Sequence, residues 1–506
     1  MRQTRSLALA FGIACLLAAA SASVAQASAK LPLSHSGRWI TDAHGRVVVL
    51  HGTNMVYKLA PYYPSAIGFG ADDAAFLQRI GFNAVRVGVI WKAVEPRPGV
   101  FDDRYLAHIT ATVKTLAAHG IVSLLDFHQD MYNELFQGEG APDWAVQDGG
   151  LPNPKLGFPG NYTANPALEH ALDQFFTNAS GPSGRGLQDW FASAWAHVAA
   201  RFRANRSVLG YELFNEPFPG TAWPQCVVPS GCPAFDAELT SLYHRVAAAI
   251  RLADPRTMIW YEPNVMFNNG VTTHVSALGD PHAGFAFHDY CLTESQTGAQ
   301  GCDTFDNLVF SNALGQVART HEALMLTEFG STTDVPYLED MLKRADSDMV
   351  PWLEWSYCAC QSPTDTGQPG IVADARKPPS GSNLIPGTLS ALVEPYPQVI
   401  AGTPSSWSFD RTSRTFRLNY SAARASGRGR FGAGSLTEIA TPALVYRGHY
   451  AVRATGAAIV SRPGAGVLVL AACRGARAIG VTVSPRGPSR GSCRPAVRAK
   501  PRRGSR

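Results

Sequence analysis

The feature that most constrains this chain is a repeated alternation of apolar, strand-like runs with amphipathic helical stretches. Eight runs rich in β-branched and aromatic residues stand at 50–56, 84–91, 122–128, 209–215, 258–262, 284–290, 324–328 and 350–357. Helical periodicity fills most of the gaps, as at 71–80, 105–118, 190–203 and 235–253. Strands apolar on both faces, alternating with helices, read as a parallel sheet covered by helices. Eight such units predict an α/β fold, a (β/α)8 TIM barrel, rather than an open sheet. No glycine-rich phosphate loop follows the first run, which argues against a dinucleotide-binding fold.

The 506 residues exceed what one core usually organises, so a second, smaller domain is expected. The order is a leader at 1–27, a barrel with an N-terminal hairpin at 28–394, a β-sandwich at 395–493 and a basic, disordered tail at 494–506. The leader reading rests on Arg2 and Arg5, the apolar run 7–20 and the sequence Ala25-Gln26-Ala27, a secretory pattern too short to anchor in a bilayer. It implies a secreted, extracellular protein. The sandwich reading rests on short alternating runs at 415–420, 443–446, 450–453, 457–460 and 467–470, broken by Gly, Ser and Pro. Of nine cysteines, eight lie outside the leader, an even number that suits an oxidising compartment. Clustering suggests Cys226 with Cys232, Cys291 with Cys302 and Cys473 with Cys493. Cys358 and Cys360 pair with each other or cross-pair with another cluster. No CxxC pair or HExxH motif appears, so neither a metal nor another cofactor is expected. The net charge of +5, much of it in the tail, comes without a nucleic-acid module, and nucleic acid is not an expected partner.

In TIM barrels the chemistry sits at the carboxyl ends of the strands. Polar residues punctuate those ends here. Arg86 lies in the second run, His128, Gln129 and Asp130 end the third, and Asn215 and Glu216 end the fourth. His288, Asp289 and Tyr290 end the sixth, Glu328 the seventh, and Trp355 stands near the end of the eighth. The segments Tyr211-Glu-Leu-Phe-Asn-Glu-Pro217 and Leu326-Thr-Glu-Phe-Gly330 each deliver one acid at a strand end. Two such carboxyls on facing walls of one barrel suit glycoside hydrolysis, with roughly 5–5.5 Å between them when configuration is retained. Glu328 is then the nucleophile and Glu216 the acid/base. The loop 131–188 is long enough to wall the cleft or to be a packed insertion.

These residues resemble glycoside hydrolase family 5. Its eight site positions correspond here to Arg86, His128, Asn215, Glu216, His288, Tyr290, Glu328 and Trp355. The resemblance implies that Arg86 and Tyr290 donate to Glu328, that Asn215 binds the sugar 2-hydroxyl and that Trp355 floors the sugar ring. Two further segments, Leu50-His-Gly-Thr-Asn-Met-Val-Tyr-Lys58 and Asp126-Phe-His-Gln-Asp-Met-Tyr132, are similar to the endoglycoceramidase branch, which cleaves glycan from ceramide. That similarity implies contacts from Lys58 and Asp130 to the glucose at the cleavage point. Trp352, three residues before Trp355, competes for the eighth-strand position. The implied partners are a glycolipid or glycoside substrate and, transiently, a lipid or micelle surface. Two rivals stay open: the same chemistry on β-glucan, mannan or a simple β-glucoside such as a steryl glucoside, and a non-catalytic sugar- or lipid-binding protein.

Overall fold

A computed structural model describes residues 29–291, 301–364 and 370–494. The leader and all of the basic tail except Arg494 lie outside the described residues. Eight parallel strands close into a barrel: β1 His51–Met55, β2 Ala84–Val89, β3 Val122–Phe127, β4 Val208–Glu212, β5 Met258–Tyr261, β6 Ala283–Asp289, β7 Ala323–Phe329 and β8 Trp352–Glu354. Closure is made by β8 against β1, with Trp352 beside His51 and Glu354 beside Thr53. Helices follow the strands, among them Ala71–Ile80, Asp103–Ala118, Leu187–Phe202 and Pro233–Ala253. After β5 there is only a short 3-10 turn, Val265–Asn269, which leaves a loop free to reach over the mouth. β4 and β7 are separated by β5 and β6 alone, so they stand nearer around the ring than diametrically opposite strands would.

Every barrel strand is buried along its length, as expected for a sheet with helices outside and side chains within. The lower interior is filled by Leu124, Met258, Trp260, Met325 and Leu353, and by Leu33, Ile40, Val48 and Leu50 rising from the N-terminal segment. Trp260 fits because its neighbours are Gly210 and Gly284, where a Cβ would meet the indole at 2.5 and 2.4 Å. Trp352 is also core: it is fully buried and stacks on His51 at 4.2 Å, which leaves Trp355 to face the mouth side.

The C-terminal region forms two antiparallel sheets. One runs Thr403–Asp410, Thr415–Ser421, Ala478–Ser484, Ala451–Thr455 in spatial order. The other contains Pro397–Ile400, Leu436–Ala440, Val467–Ala472 and Ala457–Ile459, and it is extended by the N-terminal hairpin. Val399 pairs with Val48 and Ile400 with Val47, so the hairpin assigned to the barrel is equally part of this sheet. Residues 443–446, expected as a strand, instead form a helical turn that follows Pro442, with Val445 and Tyr446 buried. Proline pre-sets the backbone for a helical start, and a four-residue apolar run carries too little periodicity to tell the two apart. All four disulfides are local, with Cys358 joined to Cys360 alongside 226–232, 291–302 and 473–493.

Candidate active site

Arg86, in the middle of β2, is fully buried and organises one half of the mouth. It forms ion pairs with Glu212 and Glu328, with Asp126 at 3.1 Å and with Glu262 at 3.2 Å. It also donates to Asn54 at 3.2 Å and Asn215 at 2.9 Å. Burial works against its charge, but the four surrounding carboxyls outweigh that and hold it firmly cationic. In return, burial and the mutual repulsion of the acids push Glu212 up to about 7 and Glu262 well above the usual carboxylate range.

Glu328 enters this half from β7 through a register shift. Leu326 pairs with Phe287 but Glu328 pairs with His288, so one residue bulges and the acid turns to stand beside the histidine. Arg86 donates to one Glu328 oxygen and the Tyr290 hydroxyl to the other, the latter at 2.7 Å.

Glu216 lies beyond the end of β4 with φ of 42°, a left-handed conformation that non-glycine residues rarely adopt. Its amide donates to Glu262 Oε2 at 3.0 Å, which ties the strained turn to β5. Asn268, on the turn after β5, donates to Glu216 Oε1 at 3.0 Å, and His288 Nδ1 lies 2.9 Å from the same oxygen. That His288 nitrogen is 3.6 Å from Glu328 Oε2, so the imidazole stands between the two acids. A carboxyl oxygen of Glu216 lies within 4.8 Å of one from Glu328. Burial, then the nearby Asp130 carboxylate, push Glu216 up to about 7, while burial pulls His288 down to about 3 and keeps it neutral. Asn268 opposes the rise at Glu216 by bonding its charged form. Asn268→Ala is therefore expected to raise the pH at which Glu216 titrates, followed by NMR of the labelled carboxyl; an unchanged or lower midpoint would contradict the contact.

The other half is built by β1, β3 and the loop after β8. Lys58 pairs with Asp130, and Thr364 Oγ1 lies 2.9 Å from Lys58 Nζ and 2.7 Å from Asp130 Oδ2. Lys58 Nζ sits 4.3 Å above the Trp355 ring, and His128 stacks on the same ring at 5.3 Å. Burial opposes charge on Asp130, yet Lys58 and His128 hold it below the usual carboxylate range. His128 is raised to about 9, because Asp126 and Asp130 overcome its burial. Asp126 joins the halves, accepting from His128 Nδ1 at 2.7 Å while pairing with Arg86. Gln129 adds a second link, donating to the Asn215 carbonyl at 2.8 Å and accepting the Tyr132 amide.

The structure thus brings together all ten residues singled out from the sequence. Gln129, named with them at a strand end, is there too, and the structure adds Asn54, Asp126, Glu212, Glu262, Asn268 and Thr364. Glu262, at the end of the fifth run, carried the same strand-end signal as its neighbours; Asn268 and Thr364, on loops, carried none. Two of the acid–histidine groups here, His128 with Asp130 and Glu139, and Glu216 with His288 and Glu328, have the composition of metal ligands. Within these groups Lys58 pairs with Asp130 and Arg86 with Glu328. The loop 131–188 is packed structure rather than open chain. Phe136, Tyr162, Phe175 and Phe176 are buried, and its Glu139 pairs with Asp130 through the backbone.

Comparison with known proteins places this constellation. Residues 41–361 match the model of cellulase (glycosyl hydrolase family 5), and residues 395–483 match the glycoside hydrolase family 5 C-terminal domain. The chain is 32% identical over 457 residues to endoglycoceramidase I of Rhodococcus hoagii, covering 87% of this chain and 86% of that protein. It is 29% identical to an endoglycoceramidase of Hydra vulgaris over 77% of this chain and 78% of the other. Among solved structures, endo-glycoceramidase II from Rhodococcus sp. in its ganglioside GM3 complex superposes with a TM-score of 0.74 at 28% identity, covering 89% of this chain and 99% of that one. Barrel, C-terminal sheets and facing acids together identify the chain as a glycoside hydrolase that belongs to glycosyl hydrolase family 5.

Proposed function

We propose that this enzyme hydrolyses the β-glucosidic bond between glycan and ceramide in glycosphingolipids by a retaining double displacement. The observation that carries the mechanism is the short separation of Glu216 and Glu328, with oxygens within 4.8 Å. That close approach accords better with the roughly 5–5.5 Å between the carboxyls of retaining enzymes than with the roughly 6.5–9.5 Å across which inverting enzymes hold a water. Glu328, held by Arg86 and Tyr290, attacks the anomeric carbon as the Glu216 proton passes to the leaving oxygen. Glu216 then takes a proton from water, which displaces Glu328. Asn215, fixed by Arg86 and by its own bond to the Gln129 carbonyl at 3.0 Å, offers a polar group toward the 2-hydroxyl. Lys58, Asp130 and His128 form the polar wall for the remaining hydroxyls.

The substrate reading is supported by the endoglycoceramidase relatives and by the Lys58–Asp130 pair, which lies beside the reacting carboxyls. A panel tests it: turnover of a fluorescent glycosphingolipid with little of β-glucan, mannan or steryl glucoside is expected. Rapid polysaccharide cleavage without glycolipid turnover would reject it. We also propose that the leader directs export, a route the four disulfides suit. Protein recovered from culture medium should begin at Ser28.

Protonation sets a further expectation. Glu216 must carry its proton for the first step, and it is held near 7. Activity should fall as pH rises through that value, about tenfold per unit beyond it, for substrates with poor leaving groups. A kcat/KM that stays flat to pH 9 would contradict the assignment.

A further inference from the structure

The charge of this chain is divided unevenly between its two regions. Residues 395–494 contain fourteen arginines, no lysine and two acids, Asp410 and Glu438, whereas residues 1–394 contain 37 acids against 25 lysines and arginines. Twelve of the fourteen arginines are exposed. Among the described residues, Arg411 alone of the fourteen makes an ion pair, with Glu394 at 2.9 Å and Glu339 at 3.9 Å. Catalysis uses none of this charge.

Three of these arginines fall into one lateral row. Arg417 pairs with Thr482, Thr482 pairs with Arg453, and Arg453 pairs with Arg490. Cross-strand partners present their side chains on the same face of a sheet. That face is the solvent side, because Phe416 and Leu418 beside Arg417, and Val452 and Ala454 beside Arg453, are buried while the arginines are exposed. At about 4.8 Å per strand the row spans roughly 15 Å. Ser408, paired with Arg417 on the next strand, continues the row beyond the arginines. The only acid of this sheet, Asp410, sits at the hairpin end, where it accepts the Ser413 amide at 3.0 Å and pairs with no arginine within ion-pair distance.

We propose that this outer sheet face is a docking surface for membranes containing anionic phospholipid. The guanidinium fork matches the paired oxygens of a phosphate, and among the described residues no carboxylate lies within ion-pair distance of these three, Asp410 acting on Arg417 only from farther off. Neighbouring exposed positions on the same strands, Asn419 and Thr455, are polar and small, so the face offers neither a pocket for a small ligand nor the aromatic platform that single-stranded nucleic acid stacks on. A level array of unpaired cations suits a plane of phosphates, whose surface potential draws each arginine toward it. This docking is independent of the catalytic reading and is measured without turnover.

The test is co-sedimentation of the full chain with vesicles of phosphatidylcholine alone or mixed with phosphatidylglycerol. Binding to the mixed vesicles should be at least about tenfold tighter and should disappear toward 1 M salt, where screening leaves roughly 3 Å of range. The triple variant R417Q/R453Q/R490Q should bind at least about tenfold more weakly, while its rate on a soluble aryl glycoside and its melting temperature stay unchanged. If the triple variant does not fold, R453Q alone, at the middle of the row, should show a smaller loss in the same direction. Equal binding to neutral vesicles, undiminished binding by the folded variants, or binding to heparin or DNA with none to vesicles would each overturn the proposal.

Discussion

Glu328→Gln is expected to lower kcat on both a fluorescent glycolipid and a soluble aryl glycoside by at least about 10⁴-fold, the scale seen when a covalent nucleophile is removed. The amide fills the same space and can still accept from Tyr290, whose hydroxyl now bonds Glu328 at 2.7 Å. What it loses is the carboxylate's negative charge, without which the oxygen is too weak a nucleophile to bond the anomeric carbon. Substrate binding should therefore survive, with KM or a measured Kd changing far less than kcat. The split matters, because a residue that only shaped the pocket would move KM first. Glu216→Gln should behave differently: a leaving group that departs without a proton should spare the first step and leave the second slow. Turnover by the Glu328 variant within about tenfold of the parent would end its assignment as nucleophile.

Arg86→Met is expected to destabilise the protein by roughly 3–5 kcal/mol, because it strands several buried acids without their counter-charge. Asp126, Glu212, Glu262 and Glu328 all converge on this one guanidinium. Methionine keeps the aliphatic stem but not the guanidinium, so a cavity adds to the loss, and its pH dependence separates the charge part from the packing part. The loss should also depend on pH in a defined direction. Burial raises Glu212 and Glu262 in the folded state above their unfolded values. A group whose folded pKa is raised binds its proton more tightly when folded, so its contribution falls as pH rises past the ordinary carboxylate range. Without Arg86 that rise grows, and denaturant midpoints of the variant should approach the parent's at pH 5 and diverge toward pH 8. A variant equally destabilised at both pH values would point to lost packing instead.

The barrel was legible because its signal is repeated. Each strand reads as a near-continuous apolar run, and polar residues at most of the strand ends mark the catalytic face. The helix 71–80 starts and stops where the periodicity does, with Gly70 before it and Gly81 after it in the left-handed conformation that suits glycine. The paired acids and their immediate partners were legible for the same reason. What sequence could not give are the connections between distant segments. Asp126 and Glu212 lie inside strands, where a single acid looks like an irregularity until Arg86 from β2 is placed among them. Asn268 and Thr364 reach their partners from loops, and their contacts follow from tertiary folding alone. The hairpin of 37–41 with 46–50 is visible in the sequence as a hairpin, but its pairing with 397–400 spans about 350 positions of chain and leaves no local trace. The helical turn at 443–446 marks the opposite limit, where the local signal is too short to decide.

A covalent bond between Glu328 and the sugar, across from Glu216, can be trapped and weighed. A 2-deoxy-2-fluoro glycoside with a good leaving group slows both steps, the second more than the first, so the intermediate accumulates. Intact mass should rise by one fluorosugar per chain, and peptide mapping should place the label on Glu328 in the segment Leu326-Thr-Glu-Phe-Gly330. A label on any other residue, or time-dependent inactivation without a covalent adduct, would contradict the mechanism.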